Sequence, residues 1–357
     1  MKVKSYGWLV YLAICFFVLF AAFAEGEAAG ATYYVSPTGS DSSNGSAGAP
    51  FKTIQKAANI VNPGDTVIVK DGVYSDTDND GRIVNITRGG TSSAWITFSA
   101  ENRLGAVLDG NNNATDWCFL LGLNAKYLTI EGFDIRGCGQ GGIMGNAGAH
   151  NINIFDNDIH DIAGYCGSDP TGNPNGHGIA SGGQTYDVYD WSVIGNKIHD
   201  IGRPQGCPGN DGSTYYASEY GVYLNGYNNT IADNVFYNNF AGWNIHLGRS
   251  CITESDGNNM VISNNTFGNS DDKVNGTIML YVRGECGTLQ FSNVVINNNT
   301  AYDSNMSLVG TYNATKGFTI NNNLIYSSRG EALVTSNVSP ITYTSSNNII
   351  RSRPLIR

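Results

Sequence analysis

One short phrase recurs seven times between Phe133 and Ile350: an apolar pair, then Asn, any residue, and another apolar residue. Its asparagines are Asn157, Asn196, Asn234, Asn265, Asn299, Asn323 and Asn348. Where the spacing is regular, from Phe133 to Asn157 and from Asn299 through Asn323 to Asn348, the steps are 24, 24 and 25 residues. A period of this size means stacked units, each too small to bury its own apolar face. Every step also holds a second alternating segment, such as Gly142-Ile143-Met144, Gly178-Ile179-Ala180, Gly221-Val222-Tyr223, Asn244-Ile245-His246 and Thr277-Ile278-Met279. Alternation over so few residues is strand periodicity. No stretch in this region sustains helical spacing. The spacing therefore predicts an all-β solenoid, a parallel β-helix climbing about 4.8 Å per coil, with its asparagines stacked as an internal ladder.

Residues 1–24 read as a secretory signal peptide: Lys2 and Lys4, an apolar stretch from Trp8 to Ala22, and the small-x-small site Ala22-Phe23-Ala24. Cleavage after Ala31 is an alternative. A secreted or periplasmic protein is expected, with no membrane partner once the signal is removed. Losing Cys15 leaves six cysteines, an even number in an oxidising compartment. The net charge of −10 offers no basic stripe to a phosphate backbone, which excludes nucleic acid as a partner. Residues 32–357 are expected to form one domain, monomeric by default, with an N-terminal cap over about 32–75 and coils over about 76–357. The amphipathic segment Phe51-Lys52-Thr53-Ile54-Gln55-Lys56-Ala57-Ala58 is the expected short helix closing the open end of the core.

The entry segment carries a family likeness. Tyr33-Tyr34-Val35-Ser36-Pro37-Thr38-Gly39-Ser40-Asp41, then Pro50-Phe51-Lys52-Thr53-Ile54-Gln55 and Pro63-Gly64-Asp65-Thr66-Val67, resembles secreted right-handed parallel β-helix proteins of the pectate-lyase-like superfamily. The resemblance implies a carbohydrate-active fold shared by lyases, hydrolases, epimerases and non-catalytic adhesins, and leaves the chemistry to be argued from the site.

Four steps are long: 39, 38, 31 and 34 residues, between Asn157, Asn196, Asn234, Asn265 and Asn299. Insertions are expected before two of the Gly-Ile/Val strands, at about 164–176 and 202–219. Two more are expected after the following strands, at about 249–258 and 283–290. Insertions on one face of an array mark its binding face. Cys166 and Cys207 fall in the leading pair and Cys251 and Cys286 in the trailing pair, which predicts bridges Cys166–Cys207 and Cys251–Cys286 and leaves Cys118–Cys138.

With Ile179, Val222, Ile245 and Ile278 inward, Tyr223 and His246 face outward, and the residues before the inward position, Asn244 among them, are expected to face outward too. His246 and Tyr223 are the candidate base and acid. Arg249 and Arg283 are candidates for gripping a substrate carboxylate. Glu219, Asn244, Asn225, Tyr281, Tyr215, Tyr216 and His177 are candidate substrate-binding residues, and Trp191 and Trp243 are expected inside the coil. Asn269-Ser270-Asp271-Asp272 is similar to the start of a Ca²⁺-binding cluster in one pectate lyase family, which makes Asp271 and Asp272 candidate Ca²⁺ ligands. The expected activity is β-elimination on a uronate-containing polysaccharide such as pectate or alginate. The alternatives are a β-helix glycoside hydrolase, which needs two carboxylates flanking the bond, and a non-catalytic glycan-binding protein.

Overall fold

The computed structural model describes residues 30–146, 148–163, 176–182, 188–202, 219–240, 242–249, 257–268, 276–304, 307–327 and 332–352. Their strands form three parallel sheets of 11, 9 and 10 strands, each coil supplying one strand to each sheet. Register is held by the apolar pattern: Leu128, Ile152 and Trp191 share one inward column of the 11-stranded sheet, and Ile130, Ile154 and Val193 share the next. A slip of one residue would turn every such side chain to solvent.

The Asn phrase sits at the turn between the 11- and 10-stranded sheets. The residue before each Asn is left-handed: Asp156, Gly195, Asp233, Asn264, Asn298, Asn322 and Asn347 have φ between 54° and 73°. Gly, Asn and Asp tolerate that region best, which explains the repeated Asp-Asn, Gly-Asn and Asn-Asn pairs. The Asn residues from Asn157 to Asn323 are buried, and from Asn196 upward each accepts at Oδ1 both the backbone N–H and the Nδ2 of the Asn one coil below, at 2.9–3.0 Å in the central copies. Its own Nδ2 also donates to a carbonyl of the coil below, as Asn234 does to Val193 at 2.9 Å. The ladder thus satisfies backbone groups that a tight buried turn would leave unpaired.

The short helix Ile54–Ala58 starts at Thr53, whose hydroxyl accepts the Lys56 N–H at 3.1 Å. It buries Ile54, Ala57 and Ala58. Gln55 then exchanges two hydrogen bonds with the backbone of Asn85, at 2.6 and 3.1 Å, on strand Arg82–Ile86 at the edge of the 9-stranded sheet. The helix therefore covers apolar surface and satisfies a sheet edge together. Among the described residues no helix is long and apolar enough to cross a membrane.

Cys118 and Cys138, both fully buried, are disulfide-bonded across a separation of 20 residues. Closing a loop of that size in the unfolded chain is worth about 3 kcal/mol. Reduction, which also opens the bridge at Cys286, is expected to lower the unfolding free energy by at least that amount, measured by chemical denaturation with and without reductant. Cys286 is also in a disulfide, while Cys166, Cys207 and Cys251 lie outside the described residues.

Candidate active site

The 9-stranded sheet carries the site. Register places Ile179, Val222, Ile245 and Ile278 in one inward column, and Ala180, Tyr223, His246 and Met279 in the adjacent outward one. The strand entry differs from simple alternation. A Cβ on Gly178 would meet Ile198 Cγ2 at 3.1 Å, and one on Gly221 would meet Phe236 Cδ1 at 3.1 Å, so these positions face the interior. Two consecutive inward residues bend each strand. The residue before them then turns outward, creating a second outer row of Gly141, His177, Tyr220, Trp243 and Gly276.

This bend corrects three expectations. Asn244 occupies the inward bend position, is 3% exposed, and accepts the Nδ2 of Asn239 at 2.7 Å, so its amide is engaged inside the coil. Trp243 joins the outer row instead of the interior: its ring lies where Cβ atoms on Gly276 and Gly310 would stand. Trp191 does fill the interior, with Nε1 donating to the Ala149 carbonyl at 2.9 Å. Arg249 is the third correction. Strand Trp243–Arg249 continues two residues past Leu247, so period two turns Arg249 inward beside Val282. It is 1% exposed and donates to Asn258 Oδ1 at 3.4 Å, away from the outer face. Arg283 follows Val282 on the outward phase and is half-buried.

The two outer rows bring rings together. His246 packs against Tyr220 at 4.6 Å, Tyr223 at 4.8 Å and Tyr281 at 5.5 Å between centroids. His177 stacks on Tyr220 at 5.4 Å and touches Tyr223 at 5.6 Å. Asn225 lies across Gly248, where a Cβ would come within 2.1 Å of its Oδ1; only glycine leaves room for it. Glu219 is 1% exposed at the entry to strand Tyr220–Leu224. Tyr215, Tyr216, Asp271 and Asp272 lie outside the described residues, as do most of the two leading insertions. Tyr220 was not legible as a site residue because simple alternation hides it. The glycines at 142, 178 and 221 were the available signal, since in these three coils the second inward place holds no side chain.

Electrostatics separate the two histidines of this face from two others. Burial pushes His177 down from 6.5 to about 4. Burial, with His177 nearby, pushes His246 down to about 3. His177 Nδ1 accepts the Tyr220 N–H at 3.3 Å, which fixes the proton of the neutral ring on Nε2. His246 is 8% exposed, and among the described residues neither of its nitrogens has a hydrogen-bond partner. Burial also raises Tyr220, with Tyr223 and Tyr281 adding to it, so Tyr220 stays a phenol.

On the 10-stranded sheet, His160 and His199 stack at 4.9 Å. There burial is overcome by carboxylates. Asp134 and Asp161 hold His160 up at about 9, and Asp158 and Asp200 raise His199. The raised pair stabilises the fold below pH 6.5, and that contribution is lost as pH rises through the folded values, about 9 for His160. The lowered pair acts oppositely: its contribution is present above 6.5 and is lost as pH falls toward 4 and 3. Imidazole titration by NMR is expected to find His160 and His199 titrating above 6.5, and His177 and His246 neutral down to pH 5.

None of the nine strands of this sheet contains Asp or Glu. Ca²⁺ takes hard oxygen ligands, above all carboxylates, so these strands do not fit a Ca²⁺ site. A group the sequence reading passed over, Asp76, Asp78 and Asp80, brings carboxylate oxygens within 4.8 Å of one another at the entry coil. Asp76 there accepts the backbone N–H groups of Asp78, Asn79 and Gly81 and so holds its own turn.

Comparison with known proteins agrees with this architecture. A family model described as the Pel9A-like right-handed β-helix region matches residues 33–199. Pectate lyase PEL9 of Emericella nidulans is 36% identical over 80 residues, 22% of this chain and 18% of that protein. The uncharacterized protein YwoF of Bacillus subtilis is 29% identical over 149 residues, 39% of this chain and 31% of that one. The chain thus spans less than a third of the length of either relative. Among solved structures, pectate lyase Pel9A superposes with a TM-score of 0.54 at 16% identity, covering 91% of this chain and 80% of that one. A GH136 lacto-N-biosidase from Eubacterium ramulus gives 0.51 at 14% identity, covering 96% and 70%. At such identities the likeness is one of fold, and one neighbour is named a lyase, the other a biosidase. On its three parallel sheets the chain is a right-handed parallel β-helix protein, and over residues 33–199 it is similar to the Pel9A-like right-handed β-helix region.

Proposed function

We propose that the protein is an exported polysaccharide lyase that cleaves a uronate-containing polymer by β-elimination, with His246 as the base. The observation that carries this reading is His246 itself: a neutral imidazole on the outer face, walled by three tyrosines, with both nitrogens unpartnered. Leaving a buried polar group unpaired costs about 1–3 kcal/mol, and such groups call for an explanation. A ligand that offers a proton to one nitrogen removes that cost.

In elimination, His246 takes the C5 proton next to the uronate carboxylate. The C–H electrons form the C4–C5 double bond, and the C4–O bond breaks. The leaving oxygen takes a proton from a phenol, that of Tyr223, whose register position beside His246 supports the role. A pKa of about 3 makes His246 a weak base in the empty site. A substrate carboxylate brought beside it raises its proton affinity, so the base strengthens when the anionic substrate is present. His177, with its proton on Nε2, serves as a neutral donor to substrate oxygens, and Arg283 closes the same face for a carboxylate. The absence of Asp and Glu from the nine strands favours elimination over two-carboxylate hydrolysis.

The free-enzyme base governs the acid limb of kcat/KM. That limb is expected well below the ordinary histidine value of 6.5, because His246 stays neutral until about pH 3. A limb centred near 6.5 in a kcat/KM profile would exclude His246 as the base.

A further inference from the structure

The outer face of the 10-stranded sheet carries a second ring ladder, with no part in the site above. One outward column runs Arg136, His160, His199, Tyr237, Gly268, Tyr302, Tyr326 and Arg351. Its lower rings are parallel and evenly stacked: His160 on His199 at 4.9 Å and 1°, and His199 on Tyr237 at 4.2 Å and 12°. Tyr302 and Tyr326 resume the column, 50% and 40% exposed. Between them the column is broken at Gly268.

Among the described residues nothing requires glycine at this strand end. Its φ lies outside the left-handed region, and a Cβ would meet nothing within 4 Å. Glycine in a strand is costly and often marks close approach of a ligand. Tyr237 and Tyr302 stand two strands apart, about 9.6 Å along the solenoid. Flat-ring contacts on both faces would fill only about 7–8 Å. The remaining couple of ångströms suit the pucker and axial hydrogens of a saturated ring. Beside the gap the neighbouring outward column runs Val235, Thr266 and Thr300, which supplies hydroxyls and no charge. The cations beside Tyr237 are paired, His199 beneath its ring with Asp158 and Asp200 and Lys197 below Val235 with Asp158, so neither is free to draw in an acidic sugar.

We propose that the gap over Gly268 is a secondary binding slot for one neutral pyranose residue of a polysaccharide, held between the Tyr237 and Tyr302 rings. It would anchor neutral chain segments on a side of the solenoid apart from the His246 face. The test is isothermal titration of the full-length protein with xylohexaose, cellohexaose and mannohexaose, with tetragalacturonate as the acidic arm. At least one neutral hexaose is expected to bind. Gly268→Tyr completes the ladder, so it is expected to raise the melting temperature and weaken that binding tenfold or more. Tyr302→Ala is expected to weaken it about tenfold by removing one stacking face. Neither change is expected to alter turnover at the His246 face. No neutral hexaose binding to the wild type, equal binding by both variants, or preference of the slot for tetragalacturonate would overturn the proposal.

Discussion

His246→Ala is expected to lower kcat/KM on a uronate polymer by about 10²–10⁴-fold, the usual range for a positioned acid–base group. The chain is expected to stay folded. The imidazole makes no hydrogen bond whose loss would unfold the coil, since both nitrogens are already unpaired. Its removal costs ring packing against Tyr220, Tyr223 and Tyr281, and relieves two buried polar atoms. His246→Phe separates these contributions: it restores ring volume without polar atoms, so its melting temperature should match or exceed that of the wild type while turnover is lost. A histidine serving only as packing would give the reverse, with activity kept in the phenylalanine variant.

The largest stability effect is expected at the ladder, in Asn234→Ala. The Asn234 side chain accepts from Asn196 N and Nδ2 at 2.9 and 3.0 Å. It donates to the Val193 carbonyl and to Asn265 Oδ1 at 2.9 and 3.0 Å. Alanine leaves the Asn196 N–H buried and unpaired and takes one hydrogen bond each from the Val193 carbonyl and Asn265 Oδ1, in a column whose members up to Asn323 are 0–1% exposed. At about 1–3 kcal/mol for the orphaned N–H and about 1 kcal/mol for each of the two other hydrogen bonds lost, the loss should be about 3–5 kcal/mol. Urea unfolding at fixed ionic strength measures it. Asn234→Leu, which fills the space but pairs nothing, should be no better.

The ladder was legible in the sequence because its physics is local: a left-handed turn residue followed by an amide that reaches the next coil. The outward column of Tyr223 and His246 was legible too, since period two holds on either side of Ile245. The strand entries were not. Simple alternation put Asn244 outward, whereas the bend marked by Gly178 and Gly221 turns that position inward and lifts His177, Tyr220 and Trp243 onto the face. Arg249 was misplaced for a related reason. A strand ending at Leu247 would have freed its side chain, but pairing continues to Val282 and holds it inside. Which rings would gather around His246 depends on neighbouring coils aligning, and no single segment of the sequence encodes that register.

The most direct test follows the ultraviolet absorbance of the unsaturated uronide while the purified protein meets pectate, alginate and glycosaminoglycans, each with Ca²⁺ or EDTA, beside His246→Phe. The expected result is rising absorbance on at least one polymer with the wild type and a flat trace with the variant. New reducing ends without absorbance would mean hydrolysis, and equal absorbance from both proteins would mean that His246 is not the base; either contradicts the central claim.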